Sequence, residues 1–303
     1  MFKPTGSWVA IPTPFDTNGA IDFGGFETLI DFHVTHGTSA LLVMGSAGEV
    51  TMLSLEERQA IIKRVSKISK GRIPTFYGTT FPTTEDTVKF SRFAESEGAD
   101  GIVLTVPPYL LLSQEAVLEH MKVCMQSISI PAAIYNNPTR VGVNIAPETI
   151  EILAHECPNF IADKEAMPHV RQLVEVRRRL GDRIHLLCCD YPKYSIVLAN
   201  LGLGGHGAAN IGGNIIPEEM AKISKPWDSM EQIGISRELY FKYYNFLEKL
   251  YLLSNPIVIK AALKILGLPS GGLRRPYLEF KGEQLGKLKD QMKELGIIER
   301  YGK

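Results

Sequence analysis

Eight short runs rich in β-branched and small apolar residues recur along the chain, each followed by a longer amphipathic stretch, and this rhythm constrains the fold more than any other feature. The runs are Trp8 to Phe15, Ala40 to Ser46, Pro74 to Thr80, Gly101 to Pro107, Pro131 to Pro138, Phe160 to Ala166, His185 to Asp190 and His206 to Gly213. Strand and helix in alternation predict a parallel sheet wrapped by helices. Helix starts are legible at Ser54-Leu55-Glu56-Glu57, at Thr84 before Glu85-Asp86, at Ser113-Gln114-Glu115-Ala116 and at Pro147-Glu148. Eight such units close into a (β/α)8 TIM barrel, whereas a doubly wound sheet uses fewer and carries a glycine-rich dinucleotide fingerprint after its first strand. None follows Phe15. The last unit ends near Lys225, and Pro226-Trp227-Asp228 breaks the pattern. The expected organisation is a catalytic barrel over 1–225 and a C-terminal helical extension over 226–303.

Charge excludes several partners. The 33 basic and 33 acidic residues among 303 cancel, so the field that draws a protein to nucleic acid or an anionic membrane is absent. A small molecule is the expected partner. Cys124, Cys157, Cys188 and Cys189 have no CxxC spacing and lie mostly in apolar runs, which fits structural thiols in a cytoplasmic protein. The segment Met1-Phe2-Lys3-Pro4 leads directly toward the first strand, with no charged stretch and apolar core of an export signal and no membrane span.

A barrel places its chemistry at the carboxyl ends of the strands. There the second strand runs into Gly45-Ser46-Ala47-Gly48-Glu49, a tight turn that could cradle a carboxylate or could simply require glycine. The fourth ends in Pro107-Pro108-Tyr109-Leu110 and the fifth in Tyr135-Asn136-Asn137-Pro138-Thr139-Arg140. A guanidinium at that end suits a substrate carboxylate, though a surface ion pair is equally compatible. The sixth strand carries Asp163-Lys164-Glu165. Alternation points Lys164 opposite to both acids. If it points inward, it is a candidate nucleophile for a carbonyl carbon; three charges in a row also fit a loop. Asp163 then faces the helix layer and must find a partner or reach solvent. Gly204-Gly205-His206-Gly207-Ala208-Ala209-Asn210 is glycine-rich, suited to exposing backbone to a ligand or to close strand packing. No His, Asp or Glu cluster with ligand spacing sits at the strand ends, so no metal is expected. His33, His120 and His155 fall on helices, and His206 reads as a packing residue.

Taken in order, Ala10-Ile11-Pro12-Thr13-Pro14-Phe15, Gly45-Ser46-Ala47-Gly48-Glu49, Tyr135-Asn136-Asn137-Pro138-Thr139-Arg140, Lys164-Glu165-Ala166, Gly204-Gly205-His206-Gly207 and Asn255-Pro256 with Lys260-Ala261-Ala262 resemble the dihydrodipicolinate synthase and N-acetylneuraminate lyase family across nearly the whole chain. The resemblance implies a class I aldolase acting on pyruvate or a related 2-oxo acid. Its only covalent aid is an imine on Lys164, with no cofactor. It implies Tyr135 as the proton-relaying phenol, and Gly45, Ser46 and Ala47 as the turn that holds the pyruvate carboxylate. Ser46 would also touch Tyr135, Arg140 would receive the carboxylate of an aldehyde partner, and the Ala209 carbonyl would face the lysine. It further implies a homotetramer, a dimer of dimers, with Tyr109 to Leu112 near a subunit contact.

Two departures matter. Ala47 replaces a second hydroxyl, which forgoes one hydrogen bond of about 1 kcal/mol. Leu110 stands where dihydrodipicolinate synthases carry a second tyrosine, so the hydroxyl relay through Ser46 and Tyr135 is expected to be broken. Condensation of pyruvate with an aldehyde therefore shares the field with a 2-oxo-3-deoxy sugar acid aldolase or dehydratase of the same family. A non-catalytic binding homologue is disfavoured by Lys164 and Tyr135 both being in place.

Overall fold

A computed structural model of the chain describes residues 5–190 and 194–303; the segment Met1 to Pro4, read above as leading toward the first strand, lies outside them. The described residues contain eight strands: β1 (Gly6–Ala10), β2 (Ala40–Val43), β3 (Thr75–Gly78), β4 (Gly101–Thr105), β5 (Ala132–Asn136), β6 (Phe160–Glu165), β7 (His185–Cys189) and β8 (Gly207–Asn210). All neighbours are parallel and in sequence order, and β8 closes on β1 with Trp8 opposite Ala209. The chain is a (β/α)8 TIM barrel.

Between the strands run α1 (Phe23–Thr35), α2 (Leu55–Ser69), α3 (Thr84–Ser96), α4 (Gln114–Gln126), the short α5 (Pro138–Val141), α6 (Pro147–Glu156), α7 (Val170–Leu180) and α8 (Val197–Gly202). After β8 come α9 (Pro217–Ser224), α10 (Met230–Lys249), α11 (Ile257–Ile265), α12 (Glu283–Glu294) and α13 (Ile297–Tyr301). The Ser54 hydroxyl accepts from Glu57 N–H while the Glu57 carboxylate accepts from Ser54 N–H, a complete capping box. Ser113 caps α4 and Pro147 opens α6. The α3 cap is Thr83, which accepts from Asp86 N–H; Thr84 is already inside the helix.

Three strands stop three or more residues before their apolar runs do. In Ile11 to Phe15, Pro12 and Pro14 lack the N–H that a ladder needs, and β1 stops at Ala10. Met44 turns to a φ of 57° and ends β2, and β8 passes into a 3-10 turn at Gly212–Asn214. Inside the barrel the Trp8 and Phe76 rings lie 4.7 Å apart. Gly101 makes room for them, since a Cβ there would stand 2.3 Å from the Phe76 ring. The C-terminal helices are tied back to the barrel layer: Ser236 Oγ donates to Ile223 O at 2.9 Å, Tyr301 Oη donates to Glu219 Oε2 at 2.6 Å, and the Tyr301 ring meets Phe32 edge-on. Among the described residues no helix is long and apolar enough to cross a membrane.

Candidate active site at the carboxyl ends of the strands

Register decides which side chains enter the barrel. Thr105 pairs with Tyr135 and Tyr135 with Lys164, so the three sit side by side on neighbouring strands and line one cavity of about 250 Å³. Lys164 is only 8% exposed, and its Nζ lies 4.1 Å from the centre of the Tyr135 ring. Burial pushes the Tyr135 phenol well above its ordinary range, aided by Cys189, whose Sγ is 3.9 Å from the oxygen. The Arg140 charge and a hydrogen bond from Asn137 pull the other way.

Gly45 and Ser46 line the same cavity. Their turn is held by Gly48 N–H donating to Gly45 O at 3.0 Å and by the Thr13 hydroxyl donating to Gly48 O at 2.7 Å. Ala47 is fully buried and is not part of the cavity wall. Arg140, carried by α5, is part of it. Ala209 is buried outside it, and its carbonyl accepts from Asp190 N–H at 3.3 Å. Leu110 stands away from the cavity, half-exposed, lining a shallow cleft with Leu112 and His120.

Several residues here escaped the sequence reading. Asn137, Thr80, Thr105 and Arg58 all line the cavity. The Arg58 guanidinium packs over Phe81 and donates to Val50 O, and burial depresses its pKa. Near Lys164 lies a second buried group, Asp190, which accepts from Tyr251 Oη and from Ile211 N–H at 2.9 Å. Burial raises the Asp190 carboxyl, while those bonds and the Lys164 charge lower it. Tyr251 is 61 residues away in sequence and left no local signal. Asn137 did: two residues beyond inward-facing Tyr135, period-two alternation aims it at the same interior.

The turn is also gripped from the C-terminal side. Lys260 Nζ pairs with Glu49 Oε1 at 2.6 Å and donates to Gly272 O at 2.8 Å, and burial lowers Lys260 to about 8. Arg274 N–H donates to Glu49 Oε2 at 3.0 Å, and the Arg274 guanidinium holds both oxygens of Glu57. The Phe15 ring lies 4.2 Å from Lys260 Nζ and 4.5 Å from the Arg274 guanidinium.

On the outer face of β6, Asp163 does not reach solvent. It is fully buried, with no hydrogen bond of normal length and angle to either oxygen, and it interacts with the equally buried Glu165 carboxyl two residues on. It persists because burial, reinforced by Glu165, raises its pKa well above the ordinary range and keeps it neutral. Glu165 is raised to about 7 by burial, against hydrogen bonds from Asn136, Met167 N–H and Gln172. His206 stacks on His185 at 4.2 Å and contacts Asp182, a packing role; burial lowers it to about 4.

Comparison with known proteins agrees with this architecture. Residues 3–295 match the dihydrodipicolinate synthetase family. The chain is 36% identical to the 4-hydroxy-tetrahydrodipicolinate synthase of Alkaliphilus oremlandii, covering 98% of this chain and 100% of that protein. It is 34% identical to the enzyme of the same name from Fervidobacterium nodosum, covering 97% and 99%. The crystal structure of dihydrodipicolinate synthase from Aquifex aeolicus superposes with a TM-score of 0.91 at 33% identity, over 97% of this chain and 98% of that one. The chain therefore belongs to the dihydrodipicolinate synthetase family, lyases of the class I aldolase type that work through a lysine imine.

Proposed function

We propose that Lys164 attacks the ketone of pyruvate or a close 2-oxo acid, and that the resulting enamine condenses with a carboxylate-bearing aldehyde. The observation that carries this reading is the enclosed Lys164 amine beside Tyr135, in a cavity with Gly45 and Ser46 on its wall and Arg140 at its rim. The amine adds to the carbonyl carbon, and Tyr135 delivers a proton as the hydroxyl departs as water. The iminium acidifies the adjacent C3 position, Tyr135 accepts that proton, and the enamine carbon attacks the aldehyde. Gly45, Ser46 and Ala47 form the turn assigned to the 2-oxo acid carboxylate, Ala209 a backbone acceptor near the amine, and Arg140 the receiver of the aldehyde's carboxylate.

The names of the relatives support condensation, with aspartate semialdehyde as the first aldehyde to try. Leu110 supports a second reading, cleavage or dehydration of a 2-oxo-3-deoxy sugar acid, whose own hydroxyl substitutes in the relay. Both need the same imine and no cofactor. The exposed run Tyr109, Leu110 and Leu111, with Tyr109 at 95%, supports a homotetramer, and the burial of Cys124, Cys157 and Cys188 as thiols supports a cytoplasmic protein.

Borohydride reduction in the presence of pyruvate should fix one adduct, on Lys164, and Lys164→Ala should abolish turnover with the fold intact. Peptide mapping that put the adduct on another lysine would overturn the assignment. A panel of pyruvate with aspartate semialdehyde, 2-oxo-3-deoxy acids and neuraminate separates the two readings.

A further inference from the structure

Asn137 occupies the N-cap position of α5, where an asparagine side chain ordinarily accepts a backbone N–H of the first turn. It makes no such bond. Its backbone carbonyl serves the helix, accepting from Arg140 and Val141 N–H at 3.0 and 3.1 Å, while the side chain turns into the barrel. There, fully buried, its Nδ2 donates to the Tyr135 oxygen at 2.6 Å. The amide orientation has its own support: Thr139 Oγ1 donates to Asn137 Oδ1 at 2.7 Å, which leaves the NH₂ group facing the phenol. Helix capping does not explain an amide so placed.

We propose that Asn137 is a positioning residue for the proton steps at Tyr135, holding the phenol oxygen in place and stabilising the phenolate once its proton has been given up. A phenol oxygen that accepts from Asn137 keeps its own hydrogen for an acceptor; Cys189 Sγ lies 3.9 Å from that oxygen, and Lys164 Nζ stands over the ring face, 4.1 Å from its centre. When the carbinolamine hydroxyl leaves, it takes the Tyr135 proton and departs as water. The phenolate then sits in a site that burial makes hostile to charge, with the Asn137 N–H and the nearby Arg140 as compensation. It next takes a C3 proton from the iminium, which regenerates the phenol and yields the enamine. Thr139 acts one step further out, by holding the amide in its donating orientation. With leucine at 110, this donor also comes from within the same strand end and needs no group from the fourth-strand loop.

The inference rests on the Lys164 and Tyr135 reading, so the test measures imine and enamine separately, on the full-length enzyme with pyruvate alone. Borohydride trapping reports the imine. Exchange of the pyruvate methyl hydrogens in D₂O, followed by NMR, reports enamine formation. Asn137→Leu should still reach the unmodified trapping end point, because borohydride reduction is irreversible, while exchange slows by about ten- to a hundredfold, the rate equivalent of losing one hydrogen bond to a charged group. Its exchange profile should move to higher pH, because the phenolate has lost a donor. Asn137→Asp, whose carboxylate once ionised offers only acceptors beside the phenolate, should fall below Asn137→Leu as pH rises, an order that a merely space-filling role does not give. Thr139→Val should slow exchange several-fold, and it decides the matter if the Asn137 variants do not fold. Exchange within twofold of the unmodified rate, or loss of the trapping end point itself in Asn137→Leu and Thr139→Val, would overturn the proposal. Absence of trapping in the unmodified enzyme would instead sink the Lys164 reading and this inference with it.

Discussion

Replacing Asp163 with valine should stabilise the protein, by a margin that grows as pH rises. Asp163 sits on β6 between Ile134 of β5 and Leu186 of β7, fully buried, with no hydrogen bond of normal length and angle to either oxygen. Folding holds it protonated, so its folded pKa lies above its unfolded one. Such a group contributes its stability in full below the unfolded carboxylate range near 4, and that contribution is lost as pH rises through the folded value. Wherever the folded carboxyl is protonated and the unfolded one ionised, the loss is about 1.4 kcal/mol per pH unit. Neighbouring Glu165, raised to about 7 mainly by burial, adds a loss of the same sign, and because the two carboxyls interact the substitution shifts that contribution as well. Valine suits a strand flanked by isoleucine and leucine and has no polar atom to satisfy. The variant should lose about 1–3 kcal/mol less than the parent between pH 5 and pH 7, a relative gain of several degrees in melting temperature. Thermal or urea unfolding of both proteins from pH 4 to pH 9 reads this directly. Parallel curves, or a variant less stable than the parent at pH 8, would refute the reasoning, because a neutral, unsatisfied carboxyl could not then be the penalty at that position.

Leu110 can neither give nor take a proton, so the unmodified enzyme should condense pyruvate with aspartate semialdehyde weakly, and Leu110→Tyr should raise that rate toward the roughly 10²- to 10⁴-fold that acid–base assistance typically supplies. Condensation at rates ordinary for a biosynthetic enzyme without the substitution would show that another group fills the gap. Light scattering at micromolar concentration should give a tetramer, and Tyr109→Glu with Leu111→Glu should reduce the mass, since both side chains are more than two-thirds exposed in the single chain; a monomer from the outset would contradict this.

The strand rhythm was legible because a parallel barrel buries both faces of every strand, which forces apolar runs wherever a strand lies. Its ends were not: Ile11 to Phe15 are apolar enough to extend β1, but the prolines that stop it act through a missing N–H rather than through hydropathy. Caps that depend on two nearby side chains, such as Ser54 with Glu57, could be read; Thr83 and Thr84 are chemically equivalent, and only the turn's path chooses between them. At the site, Lys164, Tyr135, Gly45, Ser46 and Arg140 come together on the cavity wall, while Ala47 and Ala209 lie buried off it. Residues brought in by tertiary closure, Tyr251 onto Asp190 and Arg58 onto the rim, carry no local periodicity that announces them. Asp163 resisted for another reason. A charged letter in a strand implies solvent or an oppositely charged partner, and the protein uses protonation instead.

The grip of Lys260 and Arg274 on the Gly45 to Glu49 turn also has a bearing on the order in which the chain is made. Arg274 lies 225 residues downstream of Glu49, so at about 5–20 residues per second the ribosome delivers it roughly 10–45 s after the turn itself has been synthesised. Once β8 has ended at Asn210 all eight strands are available to pair, yet until Lys260 and Arg274 follow, the carboxylate of Glu49 has neither its ammonium partner nor the Arg274 N–H to hold it. A nascent barrel can thus be nearly complete in shape while its substrate turn is still unbraced. The substrate turn gets this brace only from a segment made after the whole barrel sheet.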